Sequence, residues 1–173
     1  MNDNYLILVI LFVVCLSIRT GYELLKEAGK VDPENKLIFA LILATMCGLW
    51  AFWFSLCLSD PVGVSLPEAL RWSGFGLFVV GMILAIGALL QLRGVENIDH
   101  LVTSGLFGKI RHPMYTGFVF WILGWSVYHS AILSLLIGLI GIANILYWRR
   151  LEEARLLSQY GDTYAKYRLT TWF

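Results

Sequence analysis

Two uninterrupted apolar runs, Leu37 to Leu58 and Trp72 to Leu92, constrain this chain more than any other feature. Each is about as long as a helix must be to cross a hydrocarbon core of ~30 Å. In such a core every backbone N–H and C=O has to bond within its own segment, so a long apolar run that spans does so as a helix. Three more apolar runs follow the same logic: Tyr5 to Ile18, Pro113 to Tyr128 and Ala131 to Trp148. The first is short enough for a signal-peptide core. No basic residue precedes it and no small-x-small site follows, so it is read as a span reaching toward Tyr22. Only His129-Ser130 separates the last two, which predicts a tight antiparallel helical hairpin.

The expectation is an all-α integral membrane bundle of five transmembrane helices, ending in a helical hairpin and a cytosolic amphipathic tail. It forms a single membrane domain, 1–173, with a three-span part at 1–92 and a connector, hairpin and tail at 93–173. Composition agrees, since 58% apolar and 14% charged residues leave too little polar surface for a protein bathed in water.

Charge placement predicts the orientation. Of the 13 Lys and Arg, all but Arg71 fall on one side of the five-span topology. By the positive-inside rule that side is cytosolic, which puts the N-terminus outside and the C-terminus in the cytosol of a plasma (inner) membrane. The same assignment brings the loop from Arg93 to His112 and the tail from Arg149 to Phe173 to one face. A net charge of +1 with no dense basic run gives no case for nucleic acid. Cys15, Cys47 and Cys57 all lie within apolar runs, and no Cys or His cluster has metal-ligand spacing, so neither a disulfide framework nor a metal site is expected. Gly81 with Ala85, Ser134 with Gly138, and Gly74, Gly76 and Gly87 are small residues that allow helices to approach closely. Tyr5, Trp72, Tyr128 and Trp148 stand near run ends, where interfacial aromatics belong.

Two polar stretches carry the chemistry. From Asp99 to Tyr115 a glycine-punctuated connector ends at Pro113, well placed as the first residue of the fourth helix, with His112 near its N-cap and Tyr115 in its first turn. The positive end of that helix, with Lys109 and Arg111 beside it, favours an anionic group such as a carboxylate. Lys109 and Arg111 also simply satisfy the positive-inside rule. In Trp148-Arg-Arg-Leu-Glu-Glu-Ala-Arg155, Arg149 lies three residues before Glu152 and four before Glu153, so the cation and a carboxylate share a helical face. From spacing alone this is equally a solvated ion-pair ladder. The following stretch, Leu156 to Arg168, is aromatic, with a helix break expected at Gly161; it either rests on headgroups or closes over a site.

LVTSGLFGKIRHPMYTG, then a helical hairpin, a double glutamate and YGDTYAKYR, resembles the isoprenylcysteine carboxyl methyltransferases and their phospholipid methyltransferase relatives. The resemblance covers roughly Asp99 to Arg168. It implies an S-adenosylmethionine-dependent methyltransferase acting on a lipophilic substrate, such as a prenylcysteine-like carboxylate, a thiol or a lipid amine, reached through membrane lipids. It further implies cofactor binding by His100, Leu101, Val102, Phe107, His112, Pro113, Met114, Tyr115 and Glu152, and a substrate or catalytic role for Arg149, with Arg150 close beside it and Arg111 as the other cation. The chain departs from the family pattern in its tail, Leu169-Thr-Thr-Trp-Phe173, and in the short connector before His100, so the resemblance leaves the acceptor open. A nicotinamide-dependent sterol-type membrane reductase shares the HPxY-like element and is the alternative enzyme; a non-enzymatic membrane partner protein is the alternative class.

Overall fold

The structure is a computed structural model that describes residues 3–32, 35–92 and 101–173. Its long elements are helices: α1 (Asp3–Glu27), α2 (Lys36–Leu58), α3 (Glu68–Leu92), α4 (Pro113–His129), α5 (Ile132–Tyr160) and α6 (Asp162–Thr170). Four of them, α1, α2, α3 and α5, are long and apolar enough to cross a membrane. The fourth predicted span is a helix too, but α4 has 17 residues and a rise of about 25 Å, short of the bilayer core. It lies inside the bundle and buries more residues than any other helix. The chain is a multi-pass membrane protein, and large exposed side chains such as Leu41, Ile83, Leu90 and Ile140 give its helices a lipid-compatible exterior.

Local sequence explains the helix ends. Asn35 caps α2 by accepting from the N–H groups of Leu37 and Ile38. Pro113 opens α4, where its missing N–H costs nothing, and His112 is the N-cap. The hairpin turn places Ser130 in the left-handed region at φ 58°, and its N–H and that of Ala131 close onto Val127 and Ser126. Gly161, at φ 51°, ends α5 and starts α6, as expected of a glycine break.

The tightest contact is α3 against α4, and glycine makes it possible. Gly74 opposes Gly124 and Gly81 opposes Gly117, so closely that a Cβ on Gly117 would lie 2.6 Å from the Gly81 carbonyl oxygen. Gly138 admits the Trp53 ring and Ile122 to the α5 backbone. Gly76, by contrast, faces open space and Gly87 meets only the Leu106 side chain, so neither is a helix-approach position. A core of Phe12, Leu16, Leu49, Trp53, Leu56, Phe118, Ile122, Ile145 and Trp148 joins α1, α2, α4 and α5.

The end of the bundle that holds the hairpin turn is pinned by polar contacts. Asp60 accepts from the Ser134 N–H at 2.6 Å, near the start of α5, where a carboxylate is favoured by the helix dipole. The Tyr5 hydroxyl pairs with the Ser134 hydroxyl at 3.0 Å, and Arg71 donates to the Tyr128 carbonyl at 3.0 Å, capping α4. These contacts leave the opposite end, where α4 begins and α5 overshoots it, to carry the concentrated charge.

Candidate methyl-donor site

Because α4 starts at Pro113 while α5 continues to Tyr160, the polar turns of α5 stand beside the N-terminus of α4. His112 is buried there between two carboxylates, its Nδ1 3.7 Å from Glu152 and its Nε2 3.3 Å from Glu153. Its ring stacks on Tyr115 with centroids 5.6 Å apart and planes at 21°. The Tyr115 hydroxyl lies within electrostatic range of the Glu152 carboxylate. One wall of the site is thus His112, Tyr115 and Glu152, three of the residues expected from the sequence. Met114 joins the same first turn, packed against the apolar core with Tyr115.

The two glutamates do different things. Glu153 is drawn inward: its Oε1 accepts from Arg111 Nε at 3.3 Å, lies 3.3 Å from His112, and stands 4.0 Å from Arg149 Nε. Glu152 keeps a side chain 33% exposed against 15% for Glu153, so it is the carboxylate with capacity left for a ligand. Burial pushes the His112 imidazole below its usual range. The nearby carboxylates of Glu152 and Glu153 oppose that shift without cancelling it, and Arg149 adds to it. Both ring nitrogens face carboxylates, so whichever carries a proton donates it toward Glu152 or Glu153.

The last residues of the chain close over this end. Arg111 donates through one terminal nitrogen to the carbonyls of Arg168 and Thr171, both at 2.9 Å. The backbones of residues 109–111 and Trp172 pair in parallel, Arg111 N–H to the Trp172 carbonyl at 3.0 Å and Trp172 N–H to the Lys109 carbonyl at 2.9 Å. Tyr167 donates to the Phe107 carbonyl at 2.6 Å, and Arg149 lies 4.5 Å from the centroid of the Phe173 ring. Of the two cations expected to be catalytic, Arg111 donates to carbonyls of the tail, while Arg149 has a buried Nε without a hydrogen bond. Tyr164 and Tyr167 face inward from α6, and burial pushes the Tyr164 hydroxyl up to about 12.

The connector is held from α3. Gln91 donates to the Ser104 carbonyl at 2.5 Å and accepts from the Leu106 N–H at 3.0 Å, which sets a short 3-10 turn over Gly105–Gly108. Gly105 sits at φ 60°, and a Cβ there would meet the Gln91 amide at 2.6 Å. Phe107, buried in this turn, and Leu101 and Val102, partly buried before it, lie on the same connector. His100 falls outside the described residues.

Glu153, Gln91 and Tyr167 were not singled out from the sequence, and neither was a buried ion pair of α1 outside this wall, Arg19 with Glu23. Arg19 pairs with Glu23 at 2.5 Å and lies over the Trp148 ring at 5.2 Å and the Tyr22 ring at 5.4 Å. Glu23 also takes Lys26 at 3.0 Å. The i,i+4 spacing of Arg19 and Glu23 was a readable signal, but nothing local says which helix they face.

Comparison with known proteins fits this arrangement. A phospholipid methyltransferase family profile matches residues 70–163, from the start of α3 through the glutamate pair to the start of α6. The chain is 33% identical over 111 residues to protein-S-isoprenylcysteine O-methyltransferase of Schizosaccharomyces pombe, covering 56% of this chain and 45% of that protein. It is 28% identical over 146 residues to methanethiol S-methyltransferase of Pseudomonas deceptionensis, covering 76% of this chain and 54% of that protein. The chain spans about half the length of these curated relatives. No solved structure matches it. The family match takes in the α3–α4 contact, the His112–Tyr115 turn and both glutamates, and on that ground the chain belongs to the phospholipid methyltransferase family of membrane methyltransferases.

Proposed function

We propose that this protein is an S-adenosylmethionine-dependent methyltransferase whose acceptor is a lipophilic thiol or carboxylate, and that its site faces the cytosol. The whole chain works as one membrane domain: α4 with the four longer helices makes a five-helix bundle, and the tail lies as a cap on its cytosolic surface. The observation that carries the reading is the gathering of His112, Tyr115 and the partly exposed Glu152 where an apolar bundle meets water. Its support from relatives is that both are methyltransferases, one acting on an isoprenylcysteine and one on methanethiol by their names.

The residues suit the cofactor. Glu152 offers an anion to an ammonium or to ribose hydroxyls. The stacked rings of His112 and Tyr115, with Phe107 on the connector, offer flat apolar surface to an adenine. Leu101, Val102, Pro113, Met114 and His100 are proposed as further cofactor contacts, and Arg149 as the cation nearest the reacting groups. When bound, the cofactor supplies a methyl group on a positively charged sulfur.

The chain's own part is positioning and exclusion of water. A thiolate or carboxylate acceptor attacks with its own lone pair, so it needs no proton removed, only an in-line approach in a dry site. The tail fastened across residues 109–111 excludes water from above, and the bundle admits the acceptor from the lipid side. For a neutral thiol a proton must leave, and His112 is the imidazole placed at the site to take it.

The test is titration of the detergent-purified protein with S-adenosylhomocysteine and, separately, NADPH. Saturable binding of the first and none of the second is expected. Glu152→Gln should weaken S-adenosylhomocysteine binding by about 10- to 100-fold, the loss of one charged hydrogen bond of ~1.5–3 kcal/mol. A folded protein that binds NADPH but not S-adenosylhomocysteine would overturn the proposal.

A further inference from the structure

The polar end of α1 is out of keeping with a helix that only spans. Arg19 and Glu23 have side chains 13% and 8% exposed, and taking both ions of such a pair from water costs several kcal/mol before their attraction returns any of it. Ionisable groups buried within a membrane bundle in this way point to a functional site. Their surroundings are also specific. The Trp148 indole N–H donates to Thr20 Oγ1 at 3.2 Å, and Thr20 Oγ1 donates to Asn144 at 3.1 Å, so α1 and α5 are bonded together at the level of Arg19.

Height in the bundle then assigns the pair a place. Trp148 and Glu152 are four residues apart on one face of α5, with Glu152 on the watery side. Leu16, one turn from Arg19 on the lipid side, lines a small apolar void of about 10 Å³ with Phe12, Leu49, Ile145 and Trp148. In order from lipid to water come this apolar packing, Arg19 against Trp148, and then the Glu152, Tyr115 and His112 wall. The Tyr115 hydroxyl lies within electrostatic range of Arg19, Glu23 and Glu152. An acceptor whose tail stays in the lipid and whose reacting atom meets the methyl donor must hold its head at the middle level.

We infer that Arg19 is the residue that reads the acceptor's head group, pairing with its carboxylate, and that Glu23 is the resting counterion which that carboxylate displaces. Arg19 fits a carboxylate because its guanidinium is planar and forked, and its stacking on Trp148 and Tyr22 fixes the plane. Glu23 is not stranded by the exchange, because Lys26 holds it from the other side at 3.0 Å. The product follows from the same charge logic. Methylation forms a C–O bond to the carboxylate as the donor's S–CH3 bond breaks with its electrons left on sulfur. No proton moves, and the neutral ester no longer pairs with Arg19, so Glu23 returns and the product is released to the lipid.

This inference rests on the methyltransferase reading, and the experiment separates the two. Binding of N-acetyl-S-farnesylcysteine and of its methyl ester is measured calorimetrically on the purified full chain in detergent, with S-adenosylhomocysteine present, beside S-adenosylhomocysteine binding itself. The acid should bind about 10- to 100-fold more tightly than the ester, the range of one charge-assisted contact. Arg19→Gln should erase that preference while leaving S-adenosylhomocysteine affinity unchanged, and Arg19→Lys should restore part of it. Glu23→Gln, which keeps Arg19 and removes its rival anion, should tighten acid binding by roughly two- to fivefold and leave the ester alone. If S-adenosylhomocysteine binds but acid and ester bind equally to the wild type, or if Glu23→Gln shifts both alike, Arg19 does not read the head group and the methyltransferase reading stands. If S-adenosylhomocysteine does not bind, that reading falls first.

Discussion

Replacing Gly117 by alanine tests the packing that positions the site. Gly117 sits two residues after Tyr115 on α4, and a Cβ there would lie 2.6 Å from the Gly81 carbonyl oxygen, 2.8 Å from the Ala85 nitrogen and 2.9 Å from the Ala85 Cβ. Those first two atoms are backbone, so no side chain can swing away. Reaching ordinary contact near 3.4 Å requires α3 and α4 to part by about 0.8 Å, and overpacking of that kind costs ~1–3 kcal/mol. Alanine's better helix propensity returns at most ~1 kcal/mol. Gly76→Ala is the matched control, since it makes the same change in the facing helix α3 where a Cβ meets nothing within 4 Å. The two variants should therefore differ by ~1–3 kcal/mol, or roughly 2–12 °C in thermal midpoint for a chain of this size. Scanning fluorimetry in detergent reads the midpoint. Gly117→Ala should also weaken S-adenosylhomocysteine binding, because parting the helices moves the Tyr115 turn. A Gly117→Ala protein as stable as Gly76→Ala would refute the backbone contact and with it the placement of α4.

Glu153→Gln should loosen the tail more than the cofactor wall. It removes the anion shared by Arg111 and His112, and an expected loss of ~1–2 kcal/mol would show as faster amide exchange in α6 and at Trp172. Tyr167→Phe deletes the 2.6 Å bond to the Phe107 carbonyl and should cost about 1 kcal/mol, read in the thermal midpoint, with the connector near Phe107 becoming more accessible to protease. Acid should destabilise the site through His112. Its folded value lies below the ordinary ~6.5, so as pH falls past that point the unfolded chain binds the proton first, and stability drops until the folded imidazole is protonated too. His112→Gln should flatten the stability-against-pH curve in that window, and an unchanged slope would show that His112 is not the titrating group.

Much of the site was legible along the chain because its signals are local. Pro113 at a helix start, His112 before it and Tyr115 one turn on follow from backbone sterics that a short peptide already obeys. Gly161 ended α5 for the same reason, and the two-residue link at His129-Ser130 required a hairpin. Glu152 was found through the resemblance, not through spacing, since Arg149 reaches either glutamate by helical geometry and only packing shows that Glu153 is the one turned toward Arg111 and His112.

The sequence by itself determined that this is a helical membrane chain with its chemistry at one end, because hydrophobic length and charge bias are sums over residues and need no partner. Tertiary structure alone decided the rest. A membrane helix is apolar on every side, so its sequence does not announce which stripe meets which neighbour. Pairing Gly81 with Gly117 drew α4 inside the bundle as a short buried helix, and the bonding of Thr20 to Trp148 and Asn144 turned Arg19 from a marker of orientation into a neighbour of Trp148. Arg111, whose position before Pro113 suggested an anion site, also donates to carbonyls more than fifty residues away. Contacts made at that separation depend on how the helices stack, and stacking is set by the fit of whole surfaces.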